Sequence, residues 1–189
     1  MAIKIYIDQG HNPSGFNTGA EGNGYFEQDI TYEIGRRLYN LLLQNPEFEP
    51  RLSRPREDTV LGTNNSTSLS TRVKAANEWD ADIFLSLHNN AATNPEATGN
   101  EALVYGPGST VAYDLGTNVL EQLTLTTGLR NRGIIYRPGL YVLKETEMPA
   151  LLVEMGFITN PYDAELLVNS PYLFSTGIYR GILKYYGLI

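Results

Sequence analysis

No cysteine occurs in the 189-residue sequence. Disulfides, thiol nucleophiles and cysteine-ligated zinc are therefore excluded. No run approaches about 20 consecutive apolar residues, so no membrane-spanning helix is expected. Basic residues are scarce: 14 Lys and Arg stand against 21 Asp and Glu, a formal net charge of −7. A phosphate backbone demands clustered cations, so nucleic acid is not an expected partner. The same deficit disfavours electrostatic docking on an anionic membrane. Histidine is rarer still, with two in the chain, His11 and His88.

What is present suits a globular protein. The hydrophobic fraction of 42% builds a sizeable core, and the length is that of one ordinary domain. Met1 to Asp8 holds one Lys and a short apolar run before a Gly-rich loop, the pattern of a first β-strand and not of a signal peptide. Ile3, Ile5 and Ile7 alternate with polar neighbours there. Gln9 to Gly24 is a long Gly- and Asn-rich loop, a kind that is often functional. A helix is predicted from Tyr25 to Gln44, with Ile30, Ile34, Leu38 and Leu42 on one face. Phe48 to Ser53 suggests a strand, and Pro55 to Ser68 a flexible surface loop ending on Ser68 as the cap of a second helix. Further strands are expected at Ile83–Leu87, Glu101–Tyr105, Leu140–Lys144 and Ala150–Val153. Helices are expected at Val111–Thr127, Pro161–Val168 and Pro171–Tyr186. This alternation favours an α/β fold with a parallel or mixed sheet covered on both faces. Neither a repeat nor a linker interrupts residues 1–189, which are expected to form one domain.

Both histidines stand at the C-terminal end of an apolar strand, the edge where open α/β sheets bind ligands. Two imidazoles brought together there, with one carboxylate, form a common catalytic zinc donor set; the alternative is two ordinary loop residues. Glu27 in the first turn of the first long helix is the natural third ligand, although a carboxylate at a helix start is also ordinary, and Glu21 and Asp29 compete. Glu154 closes the apolar run Ala150–Val153. A carboxylate placed there is costly unless used, and its raised pKa suits a general base; escape into solvent is the alternative. Ser86 shares a strand face with His88, but no nucleophile elbow accompanies it, so a serine hydrolase is a weaker reading. Arg72 on the second helix is a candidate to hold a carboxylate or a loop.

Five stretches occur in order: Ile7 to His11, Gly19 to Gly22 leading to Glu27, Arg72 with Ala76 and Asn77, Ser86 to Ala91, and Leu152 to Asn160. Together they resemble the zinc-dependent N-acetylmuramoyl-L-alanine amidases of the Amidase_3 type, the sporulation and autolytic amidases and several phage endolysins. The resemblance implies a single-domain, twisted, mostly parallel six-stranded sheet flanked by helices. It implies Zn2+ held by His11, Glu27 and His88, with Glu154 as the catalytic carboxylate. Asn89, Arg72 and Ser86 are weaker candidates to bind substrate or support the ligands. The implied substrate is peptidoglycan, cut between N-acetylmuramic acid and L-alanine; the oligomeric state is open, with a monomer as the default expectation. A protein activator is one candidate partner, since some relatives of this type depend on one. The implied setting is extracytoplasmic, at the wall or spore cortex, with a phage lysin made in the cytoplasm as the alternative. Competing readings are a zinc peptidase acting within the stem peptide and a non-catalytic wall-binding module. The sequence departs from the type in three places: Asn12-Pro13 follows the first histidine instead of Gly, Ser53-Arg54 replaces Thr-Arg, and Thr59 to Ser68 is rich in Asn, Thr and Ser.

Overall fold

A computed structural model describes residues 2–189, so Met1, the first residue of the expected opening strand, lies outside the described residues. Six strands form one sheet in the order β4-β1-β5-β8-β6-β7. They are β1 (Ile3–Gln9), β4 (Phe48–Leu52), β5 (Ile83–Asn90), β6 (Asn100–Val104), β7 (Asn131–Tyr136) and β8 (Ala150–Phe157). All neighbouring pairs are parallel except β6 against β8. A small hairpin of two two-residue strands, β2 (Glu21–Gly22) with β3 (Tyr25–Phe26), stands apart at the end of the long Gly-rich loop.

The helices are α1 (Glu27–Leu43), α2 (Asn65–Glu78), α3 (Thr110–Thr127), α4 (Tyr141–Lys144), α5 (Pro161–Asn169) and α6 (Pro171–Tyr185). Period-two alternation along the strands sends neighbouring residues into different cores. Ile5, Ile7, Leu85, Leu87, Leu151 and Val153 pack with Ile34 and Leu38 of α1, Val119 and Leu123 of α3, and Phe174 and Ile178 of α6. Tyr6, Phe84, Leu103 and Leu152 pack on the other face with Val73 and Ala76 of α2 and Val142 and Leu143 of α4. Among the described residues, no helix is long and apolar enough to cross a membrane.

The chain leaves β1 for β4 through α1 on one face, then crosses back over β1 to β5 through α2 on the other. Right-handed crossovers in opposite directions require opposite faces. The loops therefore part at the C-terminal ends of β1 and β5, and a crevice opens at this switch point.

Several expectations need correction. Leu140–Lys144 forms no strand: its last four residues are the helical turn α4. Adjacent Val142 and Leu143 are both buried in one core, which a turn of helix permits and period-two alternation forbids. The sixth strand is instead β7, an edge strand that carries Gly133 and has no fully buried residue. Ser68 is not the cap of α2. Asn64 is: its side chain accepts from Thr67 N at 2.9 Å, while Thr67 Oγ1 accepts from Asn64 N at 2.9 Å. This capping box turns the end of the supposed loop into the first turn of the helix. Asn64→Ala is expected to lower stability by about 1 kcal/mol. A thermal melt checks it, with an expected drop of roughly 2–4 °C. The hairpin residues Tyr25 and Phe26 precede α1, which starts at Glu27. β5 and β8 both run further than their apolar cores suggest, so His88 and Glu154 lie within strands.

Candidate metal and catalytic site

β1 ends on a stack of buried polar anchors. Arg72 reaches from α2 and donates to Asp8 Oδ1 at 2.5 Å, Gln9 O at 2.7 Å and His11 O at 2.5 Å. Ser86 Oγ donates to the other oxygen of Asp8 at 2.8 Å. Burial works against the Asp8 charge, but the Arg72 charge and hydrogen bond outweigh it and hold the carboxyl below its usual range. From the opposite face, Thr31 Oγ1 of α1 donates to Gly10 O at 2.8 Å. These clamps fix the backbone around His11, whose φ of 70° places it in the left-handed region, an uncommon conformation for a side-chain-bearing residue that the surroundings must hold in place. Asn12, one of the departures noted above, is fully buried and ties this loop to Leu61 through two bonds of 3.1 Å.

His11 Nδ1 donates to Asn17 O at 3.3 Å. That bond orients the ring and leaves Nε2 facing Glu27 Oε2 at 3.1 Å. His88 Nδ1 lies 3.0 Å from Glu27 Oε1. The imidazole centroids are 4.7 Å apart with their planes at 79°. One potential ligand atom from each of His11, Glu27 and His88 lies within 4.8 Å of the others, a group able to hold a metal ion. Glu27 is buried at the start of α1 and also accepts from Ala20 N at 2.8 Å and Asn89 N at 2.9 Å. Burial raises its pKa, but hydrogen bonds from His11 and His88 prevail and keep it well below the ordinary carboxylate range. Gly10 makes the approach possible: a Cβ there would stand 2.5 Å from His88 Cε1.

Glu154 is the Cα partner of His88 on the neighbouring strand β8, so the two side chains leave the same face. Burial pushes its carboxyl up to about 8, helped by the charges of Glu27 and Glu101. Its Oε2 is enclosed and has no hydrogen-bond partner. Beside the histidines, a cavity of about 120 Å³ is walled by Leu69, Leu140, Tyr141 and Leu152. A larger hollow of about 220 Å³ near Tyr25 and Leu167 is lined by neither histidine.

The structure thus gathers His11, Glu27 and His88, with Glu154 on the adjoining strand. Glu21 and Asp29 do not join the trio. Ser86 spends its hydroxyl on Asp8 and bonds to neither histidine, as a nucleophile would. Arg72 is buried under the His11 loop at the base of the cavity beside the histidines, with its donors on Asp8, Gln9 O and His11 O. Asn89 meets Glu27 through its backbone N–H, and its buried side-chain amide has no partner. In the sequence Glu101 reads only as the first residue of a strand. It pairs with Glu154 across β6 and β8, and its one signal was an acid heading the apolar run Ala102–Val104.

Residues 5–184 match Amidase_3, described as N-acetylmuramoyl-L-alanine amidase. The N-acetylmuramoyl-L-alanine amidase CwlM of Bacillus licheniformis is 38% identical over 177 residues, covering 92% of this chain and 64% of that protein. The sporulation-specific N-acetylmuramoyl-L-alanine amidase of Bacillus subtilis is 34% identical over 174 residues, covering 92% of this chain and 63% of its own length. The chain therefore spans just under two thirds of these curated relatives. The catalytic domain of CwlV, an amidase from Bacillus (Paenibacillus) polymyxa var. colistinus, superposes with a TM-score of 0.85 at 28% identity, covering 99% of both chains. Matched over nearly its whole length in sequence and in fold, the chain belongs to the Amidase_3 family of N-acetylmuramoyl-L-alanine amidases.

Proposed function

We propose that residues 1–189 form the catalytic domain of a zinc-dependent amidase that hydrolyses the bond between N-acetylmuramic acid and L-alanine in peptidoglycan. The observation that carries the reading is the convergence of His11, Glu27 and His88 at the sheet's switch point, with Glu154 beside them. Two imidazoles and one carboxylate match the donor set of catalytic zinc, which keeps a further position open. The surroundings fit such an ion: Glu27 is ionised and central, and the Asn17 carbonyl holds the His11 ring at Nδ1 so that Nε2 faces the trio. A bound Zn2+ supplies Lewis acidity and makes water more acidic.

Glu154 handles the proton. Its enclosed carboxyl accepts the proton of the attacking water, then delivers it to the alanine nitrogen as the amide bond breaks. A pKa near neutrality serves both transfers, and a nearby cation offsets the Glu27 charge that helps raise it. The cavity beside His11 and His88 offers apolar walls to the groups flanking the scissile amide. The proposed place of action is the cell wall outside the cytoplasm, in keeping with the names of the relatives.

Purified peptidoglycan incubated with the zinc-loaded and the chelator-treated protein tests the reading. New L-alanine amino termini without new reducing sugars, in the zinc-loaded sample alone, are expected. Amino termini on other stem residues would make the protein a peptidase, and activity indifferent to chelation would remove the metal.

A further inference from the structure

The C-terminal edge of β8 continues across two more strands that the amidase chemistry does not use. Glu101 on β6 is the Cα partner of Glu154. Beyond it, the register between β6 and β7 slips, with Asn100 opposite Asn131 but Ala102 opposite Ile134. Arg132 and Gly133 together face Glu101, a bulge made possible by Gly133 at φ 87°. Bulges re-aim side chains next to functional sites. Here the bulge brings Arg132 back to the row: its Nε donates to Glu101 Oε2 at 2.8 Å. The buried Glu101 is held on its other oxygen by Asn90 Nδ2 at 2.7 Å.

The guanidinium lies over the Phe157 ring at 4.9 Å from the centroid. Its Nη1 makes one long contact, 3.4 Å to Thr98 O, and Nη2 donates to no group among the described residues. About a third of the side chain, 35%, is open to solvent. An arginine fixed through Nε and stacked on an aromatic face presents its remaining N–H groups as a rigid fork, the geometry that receives a carboxylate.

We propose that Arg132 is a subsite for a carboxylate on the peptide that leaves. The inference rests on the amidase reading. In N-acetylmuramoyl-L-alanine the muramic carboxyl is consumed by the scissile amide, so a carboxylate must come from the peptide side. Glu154 and Arg132 are two strand spacings apart, about 10 Å. An extended peptide covers that span in roughly three residues.

The test uses two probes, N-acetylmuramoyl-L-alanyl tripeptides with every carboxyl beyond alanine either free or converted to carboxamide. Their hydrolysis by the zinc-loaded parent, R132Q and R132Q/E101Q is compared. The double variant leaves no buried carboxylate unpaired, so it still decides the matter if R132Q fails to fold. The parent is expected to favour the free-acid probe by about 10- to 100-fold in kcat/KM, mostly through KM, as a charge-assisted hydrogen bond allows. In both variants the ratio should collapse towards unity. A parent indifferent to the two probes overturns the subsite. So does a variant that loses the same factor on both and keeps the ratio, because that is what mere neutralisation of Glu101 predicts. Release of no alanine amino terminus from either probe by the parent defeats the amidase reading itself and takes the subsite with it.

Discussion

Glu154→Gln is expected to stop turnover and, at the same time, to make the metal-free protein more stable at neutral pH. The first effect follows from the proton transfers: glutamine is nearly isosteric but cannot accept and return a proton. General acid–base catalysis contributes about a hundred- to ten-thousand-fold, and a loss of at least that order is expected. The second follows from burial. The carboxyl has its pKa raised from 4.5 to about 8 in the fold. Between those values the folded state holds a proton that the unfolded chain has released. Stability therefore falls as pH rises through the window. Glutamine carries no such penalty. Thermal melts of chelator-treated parent and E154Q should nearly coincide near pH 4 and separate progressively up to pH 8, with the variant higher. Parallel melting curves across that range would contradict the shielding of Glu154. Retention of more than about a tenth of parental turnover would remove Glu154 as the proton carrier.

Arg72→Met is expected to give the largest loss of stability. Arg72 and Asp8 are both buried, and Arg72 also satisfies Gln9 O and His11 O. Removing one partner of a buried ion pair strands the other charge and costs about 3–5 kcal/mol. For a domain of this size the melting temperature should fall by roughly 6–20 °C. The pH dependence has the opposite sign to that of Glu154. Asp8 is held below its ordinary value of 3.8, so the pair stabilises above that pH and its contribution fades as pH falls. The gap between parent and R72M should accordingly narrow in acid. Metal affinity at His11, Glu27 and His88 should fall as well, because the clamp on the His11 backbone is lost. The double variant D8N/R72M should recover part of the stability, since neither charge of the pair is left without its partner. A single variant that melts within about 1 kcal/mol of the parent would show the pair to be dispensable.

Sequence patterns carried far in this chain, and their failures have physical causes. Apolar strands with period two and long helices with period near four were legible because burial of one face imposes them. Ile30, Ile34, Leu38 and Leu42 fall where the helix reading placed them. Leu140–Lys144 misled because a short apolar run has too few residues to show its period. β7 was invisible because an edge strand with a bulge and a glycine buries little and keeps no alternation. The start of α2 was hidden in a polar stretch because a capping box is made of the same residues as a loop.

The sequence by itself determined which residues are available for chemistry: two histidines, no cysteine, and a carboxylate in an apolar run. It also determined the alternation of strands and helices that makes a sheet with a switch point. Tertiary structure alone decided which groups meet. Glu27, and neither Glu21 nor Asp29, lies between the imidazoles because the hairpin and the start of α1 place it there. Arg72 became a buried clamp because α2 carries it over the end of β1. Glu101 and Arg132 joined the row because β6 runs antiparallel to β8, bringing its first residues beside the last residues of β8. Contacts between residues far apart in the chain are set by strand order, direction and register, and none of these is written in local periodicity.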